Sequence, residues 1–411
     1  MKCRFCQNPL SREFIDLVNS PPSNAYLTAQ QLDEPEVFYP LRVFVCEKCL
    51  LVQIDEHKKA DEIFDQNYAY FSSFSKTWLE HSQNYVEMMC QCFGFNENSQ
   101  VVEIASNDGY LLQFFHQKGV SVLGIEPSSN TANAAREKGI ETWTEFFGTK
   151  LAQKLVEKNR RADLLLGNNV LAHVPNINDF VSGLKIALNP DGVVTMEFPH
   201  LLQLVENNQF DTIYHEHFSY FSFHTVRQIF AANGLEIFDV EELATHGGSL
   251  RIFAKHGENQ THKLTENVAK LLAKEKKFGL LDLNYYADFQ PKADKIKYNL
   301  LAFLVVQKQN GKKVAAYGAA AKGNTLLNYC GVKKDLVAFV VDISPYKQGL
   351  FLPASHIPIV DESFIVREKP DFVLILPWNL KEEIVERLKY IKEWNGKFVV
   401  AIPELDIQIC A

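Results

Sequence analysis

The stretch Gln100-Val101-Val102-Glu103-Ile104-Ala105-Ser106-Asn107-Asp108-Gly109-Tyr110 decides the fold. Apart from Glu103, residues 101–105 are apolar on both faces, the pattern of a strand buried inside a parallel sheet. A polar turn follows over Ser106–Gly109, and a helix is expected over Tyr110–Gln117. Strand, tight turn and helix N-terminus in that order make a nucleotide-binding edge. Val120–Ile125 then reads as a second strand running into Glu126-Pro127. Glu126 lies 23 residues beyond Glu103, close to the offset of about 20 at which an acid reaches the ribose hydroxyls of a nucleoside.

That much suits NAD and S-adenosylmethionine equally, and three details favour the second. The turn is not G-x-G-x-x-G, and Asp108 stands where a pyrophosphate would need bare backbone. Glu103, inside the first strand, can orient the turn and the amino-acid end of the cofactor. Further on, Asp163-Leu-Leu-Leu-Gly-Asn168-Asn169-Val-Leu-Ala-His173-Val-Pro175 is a strand closing on polar residues beside the same pocket. Glu103, Ala105, Asn107, Glu126, Phe146 and Asn168 are the expected cofactor contacts. Singly, Glu103 could be a strand-edge acid and Asn168 a turn residue. At this order and spacing they predict a Class I methyltransferase core, an α/β Rossmann-like sheet.

Working outward, four of the eight cysteines form two C-x-x-C pairs, Cys3/Cys6 and Cys46/Cys49. Two such knuckles suit a tetrahedral thiolate site for one zinc ion. A redox pair or plain core cysteines are the plainer alternatives. The 39 residues between the pairs leave room for a hairpin that includes the strand Leu41–Val45. With all four thiolates used as ligands no position stays open for water, so the zinc is expected to be structural.

Composition narrows the partner. Forty-two basic against 50 acidic residues give a net charge of −8, a poor match to a phosphate backbone, so nucleic acid is not expected. No apolar run approaches the roughly 18 residues of a membrane span. Met1-Lys2-Cys3-Arg4-Phe5-Cys6 lacks the apolar segment of a signal peptide, so a cytoplasmic location is expected.

The densest cluster of titratable side chains is Tyr214-His215-Glu216-His217. On an extended segment Tyr214 and Glu216 would face one way and His215 and His217 the other. A histidine can take a proton near neutral pH while a neighbouring tyrosine or glutamate steadies it or an oxyanion. A polar loop capping the next helix is the bland alternative. In the last third, helices are expected over Leu264–Phe278 and Ala293–Gln309, then strands at Lys313–Tyr317, Leu336–Asp342, Ile357–Val360, Asp371–Leu376 and Lys397–Ile402. These form a second open α/β sheet. The turn Gly318-Ala-Ala-Ala-Lys322-Gly323-Asn324-Thr325 is no Walker loop, because Asn324 stands where the lysine belongs, yet it could present N–H groups to phosphate. Arg251, after Gly247-Gly248-Ser249-Leu250, is a candidate phosphate ligand.

The C-x-x-C pairs, Tyr68-Ala-Tyr70-Phe-Ser72-Ser73, the E-I-x-S-N-D-G turn and Y-H-E-H together resemble the nucleotide-sugar C-methyltransferases. Those enzymes methylate C-3 of a 4-keto-deoxysugar carried on a nucleoside diphosphate, usually dTDP. The resemblance covers nearly the whole chain. It implies His217 as base, Tyr214 and Glu216 as helpers, and His173 and Tyr68 lining the cavity. It further implies a substrate cleft touched by Tyr70, Ser73, Arg251, Lys322 and Asn324, and three units: a zinc module (1–75), the S-adenosylmethionine-binding core (76–260), and a linker with a second Rossmann-like domain (261–411). Ala105 departs from the glycine that many such cores carry and crowds the turn. The main rival is a zinc-ribbon RNA methyltransferase. It fits poorly, given the net charge of −8 and the absence of an N-P-P-Y/F motif after the fourth strand. A non-catalytic cofactor sensor would leave Y-H-E-H without a role.

Overall fold

The computed structural model describes residues 1–59, 62 and 71–409. Tyr68 and Tyr70 lie outside the described residues. Three sheets organise the rest. The largest has seven strands in the edge-to-edge order Leu235–Leu243, Ser249–His256, Leu188–Pro199, Ala162–Asn168, Gln100–Ile104, Ser121–Ile125, Thr142–Trp143. The last five are mutually parallel and Ser249–His256 runs against its neighbours. Counted in chain order from Gln100–Ile104 this is 3-2-1-4-5-7-6, with the strand order reversing between Gln100–Ile104 and Ala162–Asn168. Ligands of open α/β sheets sit at such a reversal, outside the carboxyl ends of the strands. The expected strands all form, most within two residues of the expected ends.

The second open sheet has six strands: Ile359–Val360, Val340–Val341, Val314–Tyr317, Phe372–Ile375, Lys397–Val400 and Asp406–Ile409. All are parallel except the last. Its order reverses between Val314–Tyr317 and Phe372–Ile375, so its crevice opens at Gly318–Ala320 and Leu376–Asn379. The strand expected over Leu336–Asp342 narrows to Val340–Val341. The second linker helix begins at Phe289 rather than Ala293 and runs through Pro291, which sits in the first turn, where its missing N–H costs no bond.

The third sheet is antiparallel, in the order Arg12–Ser20, Tyr39–Val45, Val52–Ile54, Ser219–Tyr220. Its first three strands surround the cysteine knuckles, as the hairpin expectation required. Its fourth comes from the segment just after Tyr-His-Glu-His, paired through Val52↔Tyr220 and Gln53↔Ser219. One apolar core joins this sheet (Phe14, Leu41, Val43, Val52) to the C-terminal unit (Leu300, Val314, Leu326). Another joins Cys3, Cys46 and Cys49 to the seven-stranded sheet. The N-terminal segment therefore braces both larger units. No helix among the described residues is long and apolar enough to cross a membrane.

Candidate active site and zinc centre

The two C-x-x-C turns bring four sulfurs within 4.8 Å of one another. Cys3 and Cys49 are 3.5 Å apart, as are Cys6 and Cys46. Zn–S bonds of about 2.3 Å in a tetrahedron separate the sulfurs by about 3.8 Å, so the donor set fits zinc. Contact with Cys49 draws the Cys3 thiol down to about 4, while contact with Cys3 drives the Cys49 thiol up. The pair holds a single proton where a cation would stabilise two thiolates. Buried Gln53 donates to the Cys3 sulfur (3.3 Å) and accepts from the Arg4 N–H (2.8 Å), which orients one knuckle.

At the first crevice, left-handed backbone at Ala105, Asn107 and Gly109 folds the turn back over the strand ends. A non-glycine at φ 57 is uncommon, and Ala105 takes it with the smallest possible side chain. Glu126 clamps the turn: one carboxylate oxygen accepts from the Asn107 N–H (2.9 Å) and the other from the Ser128 N–H (2.9 Å). Each oxygen keeps a lone pair for a hydroxyl. Glu103 is fully buried and beside Tyr110, and burial holds its carboxyl well above the usual carboxylate range. Asn168 ends the fourth strand across the reversal, and neither its amide oxygen nor its nitrogen has a partner among the described residues. A buried amide left so calls for a ligand or a bound water; S-adenosylmethionine fits the set. Phe146 stays 48% exposed. Ser73 accepts from Lys138 Nζ (2.8 Å), which also holds the Asp108 carbonyl and carboxylate. Its hydroxyl thereby braces the cofactor turn from outside.

Tyr-His-Glu-His is not extended. The His217 N–H donates to the Tyr214 carbonyl (2.9 Å), closing a tight turn with Asp211–Ile213 in front and the short strand Ser219–Tyr220 behind. The expected alternation is therefore corrected: Tyr214 and His217 share a side, with ring centroids 4.0 Å apart, and His215 is turned away toward Tyr39 and the Pro40 carbonyl. His217 Nδ1–H donates to the Thr212 carbonyl (2.9 Å), leaving Nε2 as the ring's acceptor. His173 lies 4.7 Å away, ring to ring, its Nδ1–H donating to the Glu216 carbonyl (2.7 Å). Burial drives the His217 ring well below its usual range and His173 down to about 4, so both are neutral at pH 7. The Glu216 carboxylate takes both its hydrogen bonds from Asn24 Nδ2 (2.8 and 2.9 Å), and burial raises it to about 7.

The second crevice faces this turn. Lys322 donates to Asn379 Oδ1 (2.7 Å) and rests 4.4 Å over the Trp378 ring. The Trp378 indole N–H donates to Asp211 (2.8 Å), whose carboxyl burial raises to about 6. Asn324 donates to the Ser23 carbonyl (2.6 Å), tying the helix Ala321–Cys330 to the N-terminal segment, and keeps its oxygen unpartnered among the described residues. Arg251 is a correction. Its guanidinium is buried at 2.5–2.7 Å from Glu197 and Glu241 and 4.8 Å from the Tyr85 ring centroid. The guanidinium expected as a phosphate ligand is instead paired twice inside the seven-stranded sheet. The sequence reading missed Asp211 and Trp378, which meet across 167 positions and back Lys322 from distant parts of the chain.

Strand order, turn and orphaned amide define a Class I S-adenosylmethionine-dependent methyltransferase. Family models match along the chain: "Putative zinc binding domain" over residues 3–64, "Methyltransferase domain" over 82–240 and "C-methyltransferase C-terminal domain" over 244–403. C-methyltransferase NovU of Streptomyces niveus is 33% identical over 403 residues, 98% of this chain and 96% of that protein. The chain belongs to this C-methyltransferase family. A ubiquinone biosynthesis O-methyltransferase of Agrobacterium fabrum is 27% identical over 29% of this chain and 50% of its own length. Among solved structures, magnesium protoporphyrin IX methyltransferase from Synechocystis PCC 6803 with bound S-adenosylmethionine overlaps 43% of this chain and 78% of its own, at 17% identity and a TM-score of 0.33. The PH0226 protein from Pyrococcus horikoshii OT3 overlaps 46% and 95%, at 14% identity and a TM-score of 0.38.

Proposed function

We propose that this methyltransferase acts on C-3 of a nucleoside-diphosphate 4-keto-deoxysugar bound at the seam between the two open sheets.

 The seam is where the substrate is held, with dTDP as the expected nucleotide. The observation that carries this reading is the turn that stacks Tyr214 on His217 and leaves His217 Nε2 as an acceptor beside His173. The resemblance of the chain's motifs supports the sugar, and the C-methyltransferase relative supports carbon as the acceptor atom.

A C–H beside a ketone gives up its proton only if the enolate oxygen is stabilised as it forms. His217 Nε2 takes that proton, and the Thr212 carbonyl on Nδ1 steadies the imidazolium that results. Tyr214, stacked on His217, and the Lys322 ammonium, whose charge acts on the His217 ring, are the donors offered to the oxyanion, and Glu216, fixed by Asn24, holds the turn in place. Glu103, Asn107, Glu126 and Asn168 hold the cofactor, which when bound supplies an electrophilic methyl group. Buried His217, Asp211 and Asn324 help keep water from the carbanion-like carbon. The zinc is structural, the chain is read as three units over 1–75, 76–260 and 261–411, and the enzyme is taken to work in the cytoplasm.

The test is turnover of labelled S-adenosylmethionine with dTDP-4-keto-6-deoxyglucose and its 2-deoxy and 3-amino variants, followed by mass spectrometry of the sugar. A gain of one methylene unit on the sugar is expected. His217→Ala should lower the rate by about 10²–10⁴-fold with cofactor affinity kept. No transfer to any keto-sugar nucleotide, despite tight cofactor binding, would overturn the substrate.

A further inference from the structure

Between the two crevices, and outside the machinery assigned above, stands His246. It occupies a left-handed conformation (φ 54) in the short turn Thr245–Gly247, a backbone geometry that favours glycine over an imidazole. Its neighbours lock that geometry. Gly247 (φ 87) would bring an added Cβ to 2.2 Å from the Trp378 ring, and Gly248 (φ 115) would bring one to 2.5 Å from Gln203. The Gly247 carbonyl accepts from Gln209 Nε2 (2.8 Å). A bulky ring in a position shaped for glycine, held there from several sides, points to a use for the ring.

Its surroundings say what use. The ring meets Trp78 edge to face at 5.0 Å, and Trp78 in turn stacks beside Tyr110, which ends the cofactor turn just before the helix Leu112–Gln117. Trp378 packs against the adjoining Gly247 with Lys322 over its face, and the Lys322 charge acts on the His246 ring. The ring is also close enough to His217 that a charge on one disfavours a charge on the other. Within this turn, His246 Nδ1 and Thr245 Oγ1 are both buried with no partner among the described residues, as is Oδ1 of Asp211, whose other oxygen accepts from Trp378. A histidine serving only the loop would spend Nδ1 on that loop. Burial holds the ring down to about 4, so at neutral pH it is an uncharged group that can accept or donate.

We propose that His246 orients the substrate: its Nδ1 hydrogen-bonds a hydroxyl of the sugar ring, at the junction between the cofactor crevice and the Lys322–Trp378 wall. The proposal rests on the keto-sugar reading above and adds a specificity-determining residue to it. A neutral imidazole suits a hydroxyl because either tautomer can serve it, whereas Lys322 can only donate. The consequence is selectivity among sugars by the hydroxyl they carry, since a site built to bond an OH rejects the analogue that lacks it.

Three variants of the full chain separate the ring's roles. His246→Phe keeps the ring against Trp78 and removes the nitrogen. His246→Asn tolerates the left-handed backbone and places an amide close to the position of Nδ1. His246→Gly removes both at no conformational cost. With dTDP-4-keto-6-deoxyglucose as substrate, kcat/KM should fall by about tenfold or more in the Phe and Gly variants and recover most of that loss in Asn, with S-adenosylmethionine affinity unchanged in all three. If the Phe variant misfolds, seen as lost cofactor binding, the comparison of Gly with Asn decides. Equal kcat/KM in wild type, Gly and Asn would overturn the role of His246 and leave the keto-sugar reading standing. Wild type without turnover on any keto-sugar nucleotide would remove both together.

Discussion

The two open sheets solve one problem twice and differ in what they leave over. In each, an acid at the end of the second strand clamps the turn after the first. Glu126 accepts from the N–H of Asn107 and of Ser128, two residues on. Asp342 accepts from the N–H of Ala319 (2.8 Å) and of Ser344 (2.8 Å), again two residues on. Beyond the clamp they part. The first crevice ends in the unpartnered amide of Asn168. In the second, the Ala319 carbonyl is taken by the Tyr26 hydroxyl (2.6 Å) and by Lys347 Nζ (2.8 Å), so the chain's own N-terminal segment fills part of the space. One topology therefore serves as a ligand site in one place and, in part, as a socket for the rest of the protein in the other. The topology alone does not say which.

The comparison breaks if the two acids prove interchangeable. Glu126→Ala should weaken S-adenosylmethionine binding by about tenfold to a hundredfold, as expected for a lost charged hydrogen-bond acceptor. Asp342→Ala should leave that affinity within twofold; titration calorimetry on both reads the difference. The turns can be ranked next. At Gly318 (φ 88) an added Cβ would lie 2.5 Å from Pro377, while at Gly109 (φ 74) it would meet Ile140 at 3.2 Å. Gly318→Ala should cost about 2–3 kcal/mol and Gly109→Ala about 1 kcal/mol less, measured by urea denaturation.

Tyr26→Phe leaves the Ala319 carbonyl with Lys347 alone, and should lower stability by about 1 kcal/mol with no change in cofactor affinity. The smallest effect is a slope with pH. Burial lifts Glu216 to about 7, so the folded chain binds a proton there that the unfolded chain has released. Stability from this group is therefore lost as pH rises from about 4.5 to 7. His173, His215 and His246, each lowered to about 4, act in the opposite sense between about 4 and 6.5. Glu216→Gln should thus shift the urea midpoint upward at pH 7 relative to pH 5 when set against wild type; parallel profiles would mean that Glu216 titrates normally.

Much of this architecture was legible in the chain. The strand at 100–104, its polar turn and the acid at 126 are local in sequence, and buried-strand patterns need no partner to be seen. The two C-x-x-C pairs carry their geometry in their spacing. What failed was also local. Period-two alternation put His217 opposite Tyr214, and the turn closed by the His217 N–H put them together. Arg251 beside two glycines suggested a phosphate ligand, but alternation within the strand Ser249–His256 points it at Glu197 on the neighbouring strand, a pairing that no single strand displays. Trp378 and Asp211 meet across 167 positions of sequence, and only the fold makes them neighbours.

The strand Ser219–Tyr220, which completes the N-terminal sheet, has a consequence for the order of synthesis. Cys3 through Cys49 leave the ribosome early and can take up their ion, but the strand that covers the edge at Val52–Ile54 is made more than 160 residues later. Until then that edge is exposed and apolar, a template for pairing with other chains. When residue 220 arrives it closes the edge and, three residues behind it, His217 is drawn into place. Chains halted before that point should carry metal and still be prone to aggregate, and the Tyr214–His217 turn is set only as the N-terminal sheet is finished.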